Sequence, residues 1–528
     1  MRRHFSTATT CFLFSTFFAR AKKVEDPPNH RTQEPFERLR TGGCSGGWML
    51  YKPANLHFMR TACKQWWPEI LLTTTAAFFF LRELGTFPEA WLDDSLFMIV
   101  ARNVAEGRGY VLPVLDQLWS NSYFLAVGPT VILPVALMIK LFGFSVTIAR
   151  LPMVIYLAAT TIAIYRYAHH IGGKANARWS AALLISFSAF VNTGKPVLGE
   201  IPALFFLLLA LLLFPAIKKS RTSAITCGIC MGLAFVTKTT MGLLFPALGV
   251  TWVIMITRKD TAWKSLTIIG ITAVCTILPF VHVLGMTDSG WLPEILQYGA
   301  AGGGTGLLRV LKEQPELLLR FQYLYALGVI FPLGYIGLWK SRTKIGNAQM
   351  IFLLTLVSLF LLYFFNERGY FRHLLPAFLL LLPFVPTGLH SIVQRQTGYI
   401  ILGCFVLAQG LWQLDHRGSR RLNEAIPAVE RLEQEFRDTR MVIEPPEVFV
   451  RLSGNPNWVF LSEEFQMRSY DRFPNLPKTQ GEHCLPLLRK VGGSEQETYA
   501  KGRLTPIGGR YMLIAPLSDC VTSYGTAQ

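Results

Sequence analysis

Long apolar runs separated by short polar breaks dominate the chain. Ser180–Phe190, Ile201–Phe214 and Met350–Phe365 are examples. Most carry no polar face at helical spacing, so burial on one side does not account for them. A membrane span needs about 20 mostly apolar residues to cross a hydrocarbon core about 30 Å thick. On that criterion the pattern predicts eleven spans. They fall at Trp67–Leu84, Ile148–Ala168, Ala177–Thr193, Ile201–Ile217, Ala224–Val236, Met241–Ile256, Leu266–Leu284, Phe321–Trp339, Gln349–Phe365, Leu374–Leu389 and Tyr399–Leu414.

Tyr123–Phe142 is a further apolar stretch, long enough to be a twelfth span. Loop charge argues against it. Basic residues cluster in His169–Arg178, Lys218–Arg221, Arg258–Lys264, Lys340–Lys344 and around Arg395. With eleven spans these clusters share the cytoplasmic side with the N-terminus, as orientation by positive charge requires. Tyr123–Phe142 is therefore read as a juxtamembrane or re-entrant helix, interrupted by Gly128-Pro129 and Pro134. Broken backbone is tolerated at membrane depth where protein or a cavity covers it.

The opposite side then receives Gly85–Thr147, Gly194–Glu200, Thr237–Thr240, Gly285–Arg320, Asn366–His373 and the tail after Asp415. It collects the long loops and nearly all the acids that interrupt the apolar zone. In the tail, Ala425–Arg437 has apolar residues three and four apart and reads as a helix. Arg440–Ile443, Trp458–Ser462 and Tyr511–Ala515 read as short strands. The expected architecture is an all-α polytopic membrane protein of about 11 transmembrane helices plus juxtamembrane helices, with a small C-terminal α/β extramembrane appendage. The domains are 1–58, an N-terminal extension; 59–414, the transmembrane domain; and 415–528, the extracytoplasmic appendage. Met1–Lys23 is rich in Arg, Ser, Thr and Phe without an acid, which superficially resembles a transit peptide. The favoured reading of 1–58 is a disordered extension or a start codon set upstream of Met49 or Met59.

Composition agrees with the membrane reading. The chain is 51% hydrophobic and only 16% charged, against about 25% charged in soluble domains. The net charge of +18 invites a nucleic-acid partner, but the basic residues are scattered through short loops, so none is expected. Nine cysteines show no metal-binding spacing. Cys227, Cys230, Cys275 and Cys404 lie within apolar runs as small hydrophobes, while Cys484 and Cys520 offer a weak disulfide pairing in the tail.

Four segments on the acid-bearing side carry candidate chemistry. Trp91-Leu92-Asp93-Asp94 opens an amphipathic interfacial helix with Leu96, Phe97, Val100 and Val104 on one face. Either acid suits a helix N-cap; either also suits a general base or an oxygen ligand for a divalent cation. Glu200 stands at the mouth of a span, where an ionisable group suggests function, and Lys195 is near enough in sequence to neutralise it. Tyr298 precedes the glycine-rich Gly299–Gly306, which lacks phosphate-loop spacing and reads equally as a lid or a plain flexible loop. Arg368, Arg372 and His373 sit at a membrane edge, where guanidinium suits a phosphate and snorkelling is the structural alternative.

In this order the segments resemble the membrane glycosyltransferases of the GT-C fold, in the branch with aminoarabinose transferases and protein mannosyltransferases. Trp91–Asp94 with Ala101–Tyr110 is similar to the family's first-loop acid and the helix that follows. Gly128–Gly143 with Ala149–Pro152 is similar to its juxtamembrane stretch. Gly199–Ala203 occupies the place of its second acid, and Gly232–Lys238 and Arg372–Pro376 match two later elements. The chain departs from many relatives in having Gly199 before Glu200 and Gly128 before Pro129.

The resemblance implies an inverting transfer of a sugar from a polyprenyl-phosphate donor to an acceptor glycan, lipid or protein. It implies Asp93, Asp94 and Glu200 as catalytic acids, and Arg372, Arg368, Lys238, His373 and Tyr298 as substrate-binding residues. No cofactor is spelled out; a divalent metal is compatible, but no dedicated cage is present. The expected setting is a bacterial plasma (inner) membrane, with the site facing the periplasm or exterior. The rival class is a transporter or lipid flippase, for which paired repeats and midplane acids would speak; neither is evident.

Overall fold

The computed structural model describes residues 54–115, 117–119, 127–281, 321–366, 371–415, 424–452, 454–461, 485–490, 504–508 and 510–514. The chain divides into two compact units, 1–62 and 63–528. Within the first, only the start of one helix is described; all contacts below lie in the second.

Helix α1, Ala54–Leu81, starts well before the expected span at Trp67, inside the segment assigned to an N-terminal extension. Once a helix is nucleated, each added residue costs little, so a polar stretch continues it beyond the apolar zone. The other apolar segments fall on helices. Among the described residues, six helical stretches are long and apolar enough to cross a membrane: Val146–Ser186, Thr239–Thr257, Ala262–Phe280, Asn347–Phe365, Phe371–His390 and Arg395–Leu414. Glu200–Ala216, Arg221–Thr237 and Leu324–Lys340 are shorter and apolar. Ile155, Ile162, Leu362, Ile400, Leu407 and Leu411 are each more than half exposed. In water that would be costly; against lipid tails it is the stable arrangement. The chain is an integral membrane protein.

Val146–Ser186 is too long for one span. At Gly173 the backbone is non-helical (φ 78°, ψ −170°), so two helices meet there at a kink. The kink lies within the basic loop expected between the second and third spans. Elsewhere, close packing needs small residues. A Cβ on Gly337 would lie 2.0 Å from Phe384 O, and one on Gly388 1.9 Å from Leu333 O, so any side chain at either position would force the two helices apart.

Four elements of the first long loop matter for the site. Helix α2 spans Leu92–Ala105. Strands β1 (Leu112–Val114) and β2 (Gln117–Trp119) pair antiparallel. Helix α3 spans Pro129–Phe142, entered from Gly128 with proline in its first turn. Its 14 residues reach about 21 Å at about 1.5 Å each, short of a bilayer crossing. The expected amphipathic character of α2 is not what the structure shows: residues 94–101 are all buried, because other elements cover its second face as well.

Helix α4 is Val146–Ser186, α5 Ser188–Gly194, α6 Glu200–Leu213, α7 Arg221–Thr237 and α8 Phe371–Leu381. The C-terminal part holds helices α9 (Ala425–Glu435) and α10 (Pro446–Phe449). Its mixed sheet has the order β4-β3-β5-β7-β6. The strands are β3 Met441–Ile443, β4 Trp458–Phe460, β5 Leu487–Lys490, β6 Leu504–Gly508 and β7 Tyr511–Ile514. Strands β5 and β6 were not expected: each is short and polar at alternate or flanking positions, and pairing rather than pattern makes them strands. Cys484 and Cys520 lie outside the described residues.

Candidate functional site

Asp93 and Asp94 occupy the first turn of α2, where the helix N-terminus favours negative charge. Neither is the N-cap. Trp91 holds that position, without a side-chain cap bond, and the two acids turn to different partners.

Asp94 is fully buried. The Arg150 Nη2 donates to its Oδ2 at 2.5 Å, and the Val197 backbone N–H donates to its Oδ1 at 2.6 Å. Arg150, from α4 and also fully buried, donates from Nη1 to Leu84 O at 3.0 Å and Pro88 O at 2.9 Å. This pair ties the first loop, α4 and the loop before α6 together. Leaving one member of such a pair alone in the interior costs about 3–5 kcal/mol.

Asp93 is partly exposed and faces elsewhere. Arg372, at the start of α8, donates from Nη1 to Asp93 Oδ2 at 2.5 Å. The same guanidinium lies 5.0 Å above the centre of the Trp91 ring, within cation–π range. The side chains of Asp93 and Arg372 retain 29% and 23% exposure, so this pair is open to a ligand where Asp94–Arg150 is not.

Glu200 begins α6 and is buried. Lys238 Nζ lies 3.4 Å from its Oε1. Its other carboxylate oxygen is buried without a hydrogen-bond partner among the described residues. Arg372 and His373 both lie within electrostatic reach of Glu200, and the His373 ring centre is 5.2 Å from that of Tyr363. Asp93, Glu200, Lys238, Arg372 and His373 therefore form one charged cluster, drawn from segments up to 279 residues apart.

The backbone holds the cluster rigidly. Gly128 N–H donates to Thr237 O at 3.1 Å, and Val127 and Lys238 form an antiparallel bridge. The hydroxyls of Thr130 and Thr237 are 2.7 Å apart. Tyr110 donates its hydroxyl to Val127 O, and Tyr156 to Thr130 O at 2.8 Å. Gly199 is needed for the approach: a Cβ there would meet Thr237 O at 2.9 Å and Lys238 Cδ at 3.0 Å.

Lys195 does not neutralise Glu200. Its ammonium donates to Arg82 O at 2.7 Å, and burial, with Arg150 nearby, pushes it down to about 8. In the loop of α2, burial pushes the Glu89 carboxyl above its usual range. Tyr298 and Arg368 lie outside the described residues. Among the described residues no group of three or more His, Cys, Asp or Glu side chains could hold a metal.

Sequence reading quoted Trp91 and Arg150 within longer segments without giving either a role, and did not single out the Thr130–Thr237 pair. A lone arginine within the apolar run Ile148–Leu151 is the one signal that was available, since a charge there requires a buried partner.

Residues 127–284 match the family model described as dolichyl-phosphate-mannose-protein mannosyltransferase. That stretch includes Glu200 and Lys238 but neither Asp93 nor Arg372. No curated protein sequence matches. Among solved structures, ArnT from Cupriavidus metallidurans bound to undecaprenyl phosphate is similar with a TM-score of 0.58 at 11% identity, covering 85% of this chain and 98% of that one. The Archaeoglobus fulgidus oligosaccharyltransferase in complex with Zn and sulfate is similar with a TM-score of 0.53 at 12% identity, covering 75% of this chain and 62% of that one. The archaeal oligosaccharyltransferase AglB from Archaeoglobus fulgidus, in complex with an inhibitory peptide and a dolichol-phosphate, is similar with a TM-score of 0.50 at 11% identity, covering 76% of this chain and 65% of that one.

Proposed function

The chain has the fold of the GT-C membrane glycosyltransferases, and on that premise we propose that it transfers a sugar from a polyprenyl-phosphate donor to an acceptor glycan, lipid or protein, with inversion. The reaction takes place at the non-cytoplasmic face of a bacterial plasma membrane. The observation that carries this reading is the cluster itself: Asp93 and Glu200 interleaved with Lys238, Arg372 and His373 where spans end. The undecaprenyl phosphate held by ArnT and the dolichol-phosphate held by AglB support the donor class.

The chemistry follows from the charges. A lipid phosphate needs cationic partners at the water–lipid boundary, and guanidinium matches its oxygens. Arg372 and Lys238 neutralise the phosphate as it departs. The acceptor hydroxyl or amine attacks the anomeric carbon from the side opposite the phosphate. The new bond forms as the bond from carbon to phosphate oxygen breaks, and the electron pair leaves with polyprenyl phosphate. The acceptor proton passes to Asp93; such a base contributes about 10²–10⁴-fold. Glu200 orients the acceptor or assists Asp93. Asp94, closed off by Arg150 and Val197, fixes the turn that carries Asp93.

Incubation of the purified protein with labelled polyprenyl-phosphate sugars and a membrane extract as the source of acceptors tests the proposal. Loss of the sugar label from the lipid, with free polyprenyl phosphate as product, is expected. Label that crosses a vesicle membrane with its phosphate bond intact would instead mark a flippase.

A further inference from the structure

Helix α2 packs against the C-terminal part of the chain. Leu96, Phe97 and Val100 share one buried cluster with Val442, Val450 and Phe460. Arg102 Nη1 donates to Leu452 O at 3.3 Å, and Leu115 N–H donates to Phe460 O at 2.7 Å. The first loop is thus joined to the edge of the C-terminal sheet.

Two charges that the transfer chemistry does not use lie at this junction, one buried and one half-buried. Glu89 precedes the N-cap Trp91 by two residues, is 8% exposed, and lies within electrostatic reach of Lys490, Glu447 and Glu424. Its Oε1 has no hydrogen-bond partner among the described residues. Arg451, just after α10, buries Nε and Nη2 without such partners. It lies within electrostatic reach of Glu89, Asp94, Arg150 and Tyr511. An apolar contact would bury this junction at lower cost. Opposed charges across it add register, because any slip separates them in a medium where water cannot compensate.

We propose that the C-terminal domain is a positioning element of the active site, with Arg451 and Glu89 holding the first turn of α2 so that Asp93 meets Arg372. The proposal rests on the transferase reading above. Asp93 directly precedes Asp94, which lies within electrostatic reach of Arg451, and its contact with Arg372 is 2.5 Å. A shift of about 1 Å in such a constellation costs about 10²-fold in rate.

The experiment compares Arg451→Leu, Arg451→Lys and Glu89→Gln in the full-length protein. The transfer rate and hydrogen exchange across Leu92–Ala105 are the two readouts. Arg451→Leu and Glu89→Gln are expected to lower kcat about ten- to a hundredfold, with the donor KM unchanged. Arg451→Lys should recover most of that loss. Exchange in α2 should quicken in Arg451→Leu while Asn347–Asn366 stays protected. Should Arg451→Leu fail to insert, the Lys and Gln variants decide. Wild-type kcat together with wild-type exchange in α2 would overturn the proposal. A wild-type protein without any transfer would count against the transferase reading, and exchange would still decide the positioning.

Discussion

Asp93 and Asp94 are neighbours in sequence and live in opposite surroundings. Asp94 is sealed against Arg150, with a backbone N–H on its second oxygen and no solvent. Asp93 meets an arginine too, but that pair stays partly exposed and is shared with Glu200's surroundings. The ion pairs have similar length, so distance does not separate them; access does. A closed pair can only hold structure, whereas an open pair can exchange a partner for a ligand. The first builds the platform on which the second works.

The largest effect expected from this contrast is on folding. Asp94→Leu leaves Arg150 charged and unpaired in the interior, at about 3–5 kcal/mol. Folded protein recovered in detergent should fall sharply. Pairing it with Arg150→Met should restore most of it, since removing both charges also removes the penalty. Asp93→Asn is the counterpart. It should cut transfer about 10²–10⁴-fold while melting temperature stays at the wild-type value. Arg372→Lys keeps the charge but loses the planar fork; with charge-assisted hydrogen bonds worth about 1.5–3 kcal/mol, turnover should fall about ten- to a hundredfold.

The smallest effect concerns a third acid, Glu89. Burial raises its folded pKa above the unfolded value, so the ionised form is disfavoured in the fold. That cost is present at neutral pH and disappears as pH falls through the folded pKa. Glu89→Gln should therefore melt slightly higher than wild type at neutral pH, by about one to three degrees. The gap should close on acidification. A gap that widens in acid would contradict the sign.

The membrane character and the mostly helical fold were legible because a bilayer imposes one rule on every span, and six of the described helices are long and apolar enough to cross, against the eleven spans expected. Even the break between the second and third spans fell where the basic loop around Gly173 required one. The segments that supply the site were also legible, since Asp93, Glu200, Lys238 and Arg372 interrupt an otherwise apolar pattern at span ends. Partner choice was not. Lys195 is nearer to Glu200 in sequence, yet Lys238 pairs with it, because the Val127–Lys238 bridge and the bare backbone of Gly199 bring α7 alongside α6. The division of labour between Asp93 and Asp94 was hidden for the same reason: it depends on Arg150, 56 residues away. The amphipathic pattern of α2 predicted one wet face, yet Asp94 and Ser95 are buried with the apolar residues and Arg102 bonds to Leu452 O in the C-terminal part. Strands β5 and β6 owe their form to neighbours contributed from distant sequence.

On the proposed mechanism, Arg372 passes between Asp93 and the donor phosphate. Binding of polyprenyl phosphate to purified variants tests it most directly. Arg372→Met and Lys238→Met should each weaken binding. Asp93→Asn should bind as tightly as wild type or more tightly, because it removes the competitor for Arg372, while transferring almost nothing. Loss of polyprenyl phosphate binding in Asp93→Asn, or undiminished binding in Arg372→Met, would contradict the claim.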